Sequence, residues 1–345
     1  MVIAALATIF VVAATPVSPP GAAAQPAAQT RAHTAAHAAH AHVRSSVSTA
    51  RPSAPAQPVG ASPATSGTGP PYDVATTSIR LVDPGRSTPA RGDVPAVSGR
   101  LLVTDLYLPV GATGPRPLVV FAHGWNSDPG VYEALLDTWA TAGFIVAAPV
   151  FPDSTDLYPG SPVSDYADQA RDVSFVITSL LHDHALAIDP TRVAVAGHSD
   201  GGTDVALLAL DPDYSDSRVR AYVCLSGEMP SGVATYSVAP SRVPLLVAVG
   251  TNDEYGLYPL ATSVFDQAQT STKALAVESG GDHLGSFIDA TPSAADMRAD
   301  TTRFLELALE PRPPTSAAVV AALQQPSDPT ITVTGPSQSE PAGGS

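Results

Sequence analysis

One serine lies in a pattern that could make it a nucleophile. Residues 197–201 read Gly-His-Ser-Asp-Gly, with Ser199 at the centre. The pattern follows a predicted strand and opens a predicted helix, so Ser199 would occupy a sharp turn that requires small residues two positions to either side. The amino end of that helix would favour negative charge developing at the serine. The spacing predicts nucleophilic catalysis, and a glycine-rich turn with an incidental serine is the alternative.

A serine hydroxyl is a weak nucleophile unless a base lies beside it. His283 follows the last predicted strand and should therefore lie at the same carboxyl edge of the sheet as Ser199. Asp253 follows the preceding strand and is the leading candidate to orient the imidazole and stabilise its charged form. The chain order Ser199, Asp253, His283 is one of the known triad orders. The other acids that we consider for this role are Glu254, Asp282 and Asp289.

Acyl transfer also needs backbone N–H donors where the oxyanion develops. We predict that these donors are the N–H of Asp200, directly after the nucleophile, and the N–H of Trp125, in the loop after residues 117–122. The Trp125 indole could also form one wall of the acyl pocket, or it could be a packing residue. His198 should point into the fold. The residues predicted to line the substrate pocket are Trp125, His198, Phe151 and Tyr158.

The elements that position these residues alternate between strand and helix. Short apolar runs at residues 117–122, 144–148, 192–196, 219–225, 243–249 and 274–277 are typical of buried strands. Apolar residues at helical spacing separate most of them. This alternation predicts an α/β fold with a mostly parallel central sheet and helices on both faces. Few residues separate 225 from 243, so we expect no large cap domain over the site.

Composition limits the classes of function. The chain has 345 residues and a net charge of −15, and residues 72–312 alone carry 14 basic and 30 acidic residues. Because such a surface repels phosphate backbones, nucleic-acid binding is not expected. The single cysteine, Cys224, lies in a predicted buried strand, which argues against a disulfide or a multi-cysteine metal site. No pattern indicates a metal or another cofactor, and we favour a monomer.

The chain divides into four segments. Residues 1–24 contain an apolar run that is too short to span a membrane, followed by Ala22-Ala23-Ala24, and they predict a cleaved signal peptide and a secreted protein. An uncleaved membrane anchor is the alternative. Residues 25–71 form an Ala-, Pro-, Ser- and His-rich linker that should be disordered, like the Pro- and Ser-rich residues 313–345. Residues 72–312 would form the catalytic domain.

From residue 117 to 287 the chain resembles the α/β-hydrolase superfamily. The branch it resembles includes dienelactone hydrolases, chlorophyllase-like and platelet-activating-factor-acetylhydrolase-like enzymes, and bacterial cutinase-like polyester hydrolases. The matching pieces are His123-Gly124-Trp125, residues 143–146, residues 197–202, residues 250–253 and Asp282-His283. The resemblance implies an α/β-hydrolase fold, serine-esterase chemistry and an oxyanion-hole N–H at Trp125.

One position departs from that resemblance. Cutinase-like enzymes usually carry an apolar residue after the nucleophile, where this chain has Asp200. A carboxylate near the oxyanion would oppose charge development unless it points away or is paired. Carboxylic-ester hydrolysis through an acyl-enzyme, on a small or polymeric ester, is the predicted function. A peptidase or amidase using the same triad and a non-catalytic cell-surface protein of the same fold are the alternatives.

Overall fold

The computed structural model describes residues 71–183, 185–230, 233, 236–312, 314–323 and 330–336. The predicted signal peptide and nearly all of the predicted linker lie outside the described residues. No helix within the described ranges is long and apolar enough to cross a membrane.

Nine strands form one sheet across the described residues. Their order is β1-β2-β4-β3-β5-β6-β7-β8-β9. The six strands from β4 to β8 in this order run parallel, whereas β1, β2 and β9 join antiparallel at the two edges. The strands are β1 (Val74–Thr88), β2 (Val97–Pro109), β3 (Arg116–Ala122), β4 (Ile145–Pro149), β5 (Ile188–His198), β6 (Val219–Leu225), β7 (Leu245–Gly250), β8 (Lys273–Glu278) and β9 (Ile331–Thr334).

Helices cover both faces of this sheet. The described helices are α1 (Glu133–Thr141), α2 (Tyr166–His182), α3 (Asp200–Leu210), α4 (Leu257–Gln267), α5 (Gly285–Ile288), α6 (Pro292–Ala308) and α7 (Ser316–Leu323). A single 3-10 turn, Pro129–Tyr132, precedes α1. Among the described residues between β6 and β7 there is no helix or strand.

Two apolar layers hold the helices against the sheet. Successive side chains of a strand point to opposite faces, so Leu118 and Val120 of β3 enter one layer while Val119 and Phe121 enter the other. The first layer includes apolar residues of α2, α3 and α4, and the second includes those of α1 and α6. Because both faces are buried, the central strands are continuous apolar runs. The predicted α/β-hydrolase fold class is confirmed.

The segment after residue 312 differs from the prediction. The expectation of a disordered tail is wrong for residues 316–323 and 331–334, which form α7 and β9. Val319, Leu323 and Val333 are almost completely buried in the second apolar layer. Strand β9 pairs antiparallel with β8. The overall Pro- and Ser-rich composition concealed three apolar residues that the core can bury.

Shortening the chain should therefore lower its stability. We expect a chain ending at Arg312 to have a Tm lower by about 5–10 °C, because each buried aliphatic side chain contributes about 1.5–3 kcal/mol before chain entropy is subtracted. A chain ending at Pro336 keeps α7 and β9, and it should melt like the full chain. Differential scanning calorimetry of the two truncated chains makes the comparison. Equal melting temperatures would show that α7 and β9 add nothing to the stability of the core.

Candidate active site

Ser199 occupies a strained turn between β5 and α3. Its φ of 59° and ψ of −121° lie in a region that non-glycine residues rarely adopt. A Cβ at Gly197 would overlap the Gly201 carbonyl, and a Cβ at Gly201 would overlap the Ala122 carbonyl. Only glycine fits at both positions, so the flanking pattern follows from this turn. Ser199 is partly exposed at the carboxyl edge of the sheet.

Two other non-glycine residues among those described have positive φ angles, and both follow strands at the same edge. Asn126 (φ 53°) lies beyond β3, and Ser226 (φ 44°) directly follows β6. The described non-glycine residues in this strained region thus all lie where β3, β5 and β6 end. Strain of this kind costs of order 1–3 kcal/mol per residue and concentrates at functional sites. The carboxyl edge of the sheet is therefore the candidate location of the functional site.

His283 and Asp253 meet at this edge. Asp253 follows β7 and His283 follows β8, and the distance from His283 Nδ1 to Asp253 Oδ2 is 2.8 Å. The other Asp253 oxygen accepts the backbone N–H of Tyr255 at 3.0 Å and that of Leu257 at 3.4 Å. Burial alone would raise the pKa of Asp253, but its hydrogen bonds and the His283 charge hold that pKa below the usual value. Asp253 is therefore an ionised acceptor, which fixes a proton on Nδ1 of His283.

The alternative acids have other partners. Glu254 accepts the backbone N–H of His283 at 3.0 Å and so fixes the loop that carries the histidine. Asp282 is exposed and accepts the N–H of Gly285 at 2.5 Å, at the start of α5. Asp289 is exposed at the far end of the same helix. The geometry thus brings Asp253, among the four candidates, to the imidazole.

The segments that carry the two predicted oxyanion donors lie next to Ser199. Asp200 begins α3, and Trp125 follows Gly124 in the loop after β3. Gly124 lies against the nucleophile candidate, since a Cβ built there would be 3.1 Å from the Ser199 Cβ. Next to Trp125, the Asn126 N–H donates to the Ser154 carbonyl at 2.6 Å and holds the loop. Trp125 is partly exposed at this edge.

The Asp200 side chain is paired. It is buried and accepts hydrogen bonds from the Ser164 hydroxyl and, at 3.2 Å, from the Tyr166 hydroxyl. Both donors belong to the start of α2 and the loop before it, so the carboxylate is directed towards α2. The structure therefore supplies the pairing that a carboxylate at this position requires.

Asp204 lies one helical turn beyond Asp200. It is fully buried, and its two carboxylate oxygens have no hydrogen-bond partner in the described structure. Burial raises the pKa of Asp204 well above its usual value, and the charges of Asp200, Asp165 and Asp172 raise it further, against the opposing effect of Arg100. The folded protein therefore keeps a proton on Asp204 that the unfolded chain releases near the usual pKa, about 3.9.

This extra proton makes stability depend on pH. Because the folded state binds more protons, the free energy of unfolding falls as pH rises from about 4 towards the raised pKa. Replacing Asp204 with asparagine removes the titration and keeps the shape. We expect a gain on the order of 1–3 kcal/mol at about pH 8 that shrinks towards pH 4. Thermal unfolding across this range measures it, with the exposed Asp213→Asn as control. Variant and wild-type curves that run parallel with pH would contradict the assignment.

Two of the residues predicted to line the substrate pocket are buried. Phe151 is fully buried in the first apolar layer, and His198 is 1 % exposed. The prediction that they line the substrate pocket is wrong for this structure, because neither presents surface to a ligand. Tyr158 and Trp125 are partly exposed, so they can contact a substrate.

His123 joins the oxyanion loop to the segment after β4. The Phe151 N–H donates to Nε2 of His123 at 3.0 Å, so Nδ1 carries the proton and donates to the Gly124 carbonyl at 2.8 Å. Burial lowers the pKa of His123 to about 4. The neutral ring is therefore a structural link. From the sequence, His123 could be recognised only as part of a motif. Its link to Phe151 could not be predicted, because the two residues lie 28 positions apart.

Two arginines that the sequence did not single out anchor the loop from residue 150 to 165, which holds Tyr158. Arg91 donates to the carbonyls of Pro152, Thr155 and Gly160. Arg100 is fully buried and forms salt bridges with Asp153, Asp165 and Asp172. These contacts fix the loop beside the site. Separations of 53 to 72 residues leave no local pattern that could have revealed them.

The described residues contain no group of three or more His, Cys, Asp or Glu side chains that could hold a metal ion. Cys224 is buried, and burial raises the pKa of its thiol to about 12. The polar groups at the carboxyl edge include the Ser199 hydroxyl, the His283 imidazole and the Asp253 carboxylate.

The chain has an α/β-hydrolase fold. The Chlorophyllase family matches residues 95–230. A probable isoprenylcysteine alpha-carbonyl methylesterase of Arabidopsis thaliana is 29% identical over 136 residues, which cover 36% of this chain and 28% of that relative. The chain thus matches little more than a quarter of that relative's length.

A solved structure with the same fold is the ferulic acid esterase from Streptomyces cinnamoneus. It has a TM-score of 0.58 and 21% sequence identity, and the match covers 76% of this chain and 97% of that chain. The solved structure shows the fold, and the three similarities together confirm the predicted resemblance.

Proposed function

We propose that this protein is a carboxylic-ester hydrolase that uses Ser199 as nucleophile, His283 as general base and Asp253 as the orienting acid. The observation that carries the proposal is the 2.8 Å contact between His283 Nδ1 and Asp253, at the same sheet edge as the strained Ser199. The similarity to three groups of esterases supports the choice of ester bonds.

The protonation of His283 sets the direction of the chemistry. Because Asp253 only accepts, the proton of the neutral imidazole is on Nδ1, and Nε2 is free to take the Ser199 proton. Ser199 then attacks the ester carbonyl, and the oxyanion is stabilised by the N–H groups of Trp125 and Asp200. The imidazolium returns its proton to the leaving alcohol. Water, activated by the same nitrogen, hydrolyses the acyl-enzyme and restores Ser199.

The experiment is a panel of p-nitrophenyl esters and matched p-nitroanilides, with fluorophosphonate labelling of the same protein. Ester hydrolysis that is blocked by labelling supports the proposal. Faster turnover of anilides would indicate a peptidase or amidase, and the absence of both turnover and labelling would indicate a non-catalytic protein of this fold. The chain length of the acyl group preferred in the panel would define the substrate further.

We also propose that the protein is exported and acts outside the cell. The apolar residues 2–14 and Ala22-Ala23-Ala24 support a cleaved signal peptide. Amino-terminal sequencing of the protein from the culture medium tests this, with cleavage expected near residue 24. Recovery of the whole chain in the membrane fraction would instead favour an anchored form.

A further inference from the structure

Three loops that the proposed reaction uses are joined by one buried hydrogen-bonded chain. The Gly124 N–H donates to the Tyr132 hydroxyl at 3.1 Å, and that hydroxyl lies 3.0 Å from Nδ1 of His198. Nε2 of His198 lies 2.8 Å from the carbonyl oxygen of His283. The chain thus connects the loop after β3, the nucleophile turn and the histidine loop.

The proton positions in this chain follow from the groups at its ends. A carbonyl can only accept, so Nε2 of His198 carries a proton and donates it to His283. A neutral imidazole has one N–H, so Nδ1 accepts and the Tyr132 hydroxyl is its donor. Burial raises the pKa of Tyr132, which keeps that hydroxyl protonated, and its oxygen accepts from Gly124 and interacts with Ser127. Each donor along the chain therefore has an acceptor.

Both residues are packed against the groups that they would hold. The His198 ring centroid lies 4.5 Å from that of His283 and 5.4 Å from those of Tyr132 and Phe287. A Cβ built on Gly124 would lie 3.0 Å from the Tyr132 hydroxyl and 3.1 Å from the Ser199 Cβ. A shift of either aromatic ring would therefore move the oxyanion loop or the general base relative to the nucleophile.

We propose that Tyr132 and His198 are positioning residues that set the oxyanion loop and the histidine loop in register with Ser199. This inference rests on the proposed function. The Tyr132 hydroxyl selects the His198 tautomer whose Nε2–H donates to the His283 carbonyl. The oxygen of the same hydroxyl accepts the N–H of Gly124, which precedes Trp125. Because both contacts act on groups that stabilise the transition state, their loss lowers kcat more than it raises KM.

The first test is Tyr132→Phe, which removes the hydroxyl and keeps the ring. We expect kcat for p-nitrophenyl acetate to fall by about 10- to 100-fold, with KM changed by less than about threefold. Tyr222→Phe is the matched control, because Tyr222 is also 2 % exposed but lies in the opposite apolar layer, and its kcat should equal that of wild type. Equal kcat values in the two variants would overturn the proposal.

Nitrogen NMR of the imidazole rings tests this hydrogen-bonded chain independently of enzyme activity. Wild-type His198 should be a single tautomer with its proton on Nε2, since the His283 carbonyl can only accept a hydrogen bond. In Tyr132→Phe, Nδ1 loses its hydrogen-bond donor, so its nitrogen chemical shift should move towards that of an imine nitrogen without a hydrogen bond. A wild-type His198 with its proton on Nδ1 would contradict the chain even if the ester panel showed no activity.

A second pair of variants covers the case in which Tyr132→Phe does not fold. In His198→Gln the amide oxygen can accept from Tyr132 and the amide nitrogen can donate to the His283 carbonyl, whereas His198→Phe can do neither. We expect the glutamine variant to keep at least about tenfold more kcat than the phenylalanine variant. Wild-type kcat in His198→Phe would overturn the proposal. Fluorophosphonate labelling of wild-type Ser199 would show that the proposed nucleophile is correct even if the positioning role of Tyr132 and His198 is wrong. Absence of labelling would instead count against the proposed function.

Discussion

Replacing Ser199 with alanine is expected to lower kcat for p-nitrophenyl esters by about four to six orders of magnitude, because triad members act as a unit. The variant should fold normally, since alanine tolerates the left-handed backbone about as well as serine does. Steady-state kinetics and fluorophosphonate labelling measure the effect. The label should attach to Ser199 in the wild type and should be absent from the variant.

Ser226→Ala is the matched control for this experiment. Ser226 is also a serine with positive φ at the carboxyl edge, and its buried hydroxyl has no hydrogen-bond partner within the described structure. Labelling and kcat should persist in this variant. If the label attached to another serine, or if Ser199→Ala kept wild-type turnover, the proposed nucleophile would be wrong.

Asp253→Asn should lower kcat by about 10³- to 10⁴-fold, because the amide no longer fixes the proton of His283 on Nδ1. The volume and the backbone contacts of the side chain change little, so Tm should fall by only a few degrees. The kcat/KM of the purified variant, compared with its unfolding curve, separates loss of chemistry from loss of structure.

Two neighbouring acids serve as controls for that variant. Asp282→Asn changes an exposed carboxylate, and it should keep nearly wild-type kcat. Glu254→Gln keeps an oxygen that can accept the His283 backbone N–H, so a small loss is expected. A severe loss in either of these, together with a mild loss in Asp253→Asn, would reassign the orienting acid.

The candidate triad could be predicted because it rests on local rules. Gly197 and Gly201 are set by the steric limits of the turn itself, so they appear as a pattern in the sequence. Asp253 and His283 each follow an apolar strand, and parallel strands bring their carboxyl ends to one edge. The apolar runs that form those strands are continuous because both faces of the sheet are covered.

Other features depended on partners distant in the sequence. Asp200 looked incompatible with an oxyanion until the structure placed Ser164 and Tyr166 against it, 36 and 34 residues away. Phe151 was predicted to line the substrate pocket, yet the fold buries it beside His123. The residues after 312 looked unstructured by composition, but an open edge at β8 and exposed apolar surface gave them a place to pack.

The sequence by itself determined which residues could carry the chemistry and the order of the elements that present them, because steric limits and strand or helix periodicity act within a few residues. Only the tertiary structure decided the protonation and pairing of the supporting groups. Tyr132 and His198 are 66 residues apart, and Asp204 is buried with no hydrogen-bond partner in the part of the chain that the structure describes. Hydrogen bonding and desolvation depend on what the fold brings alongside a group, and no local spacing encodes that environment.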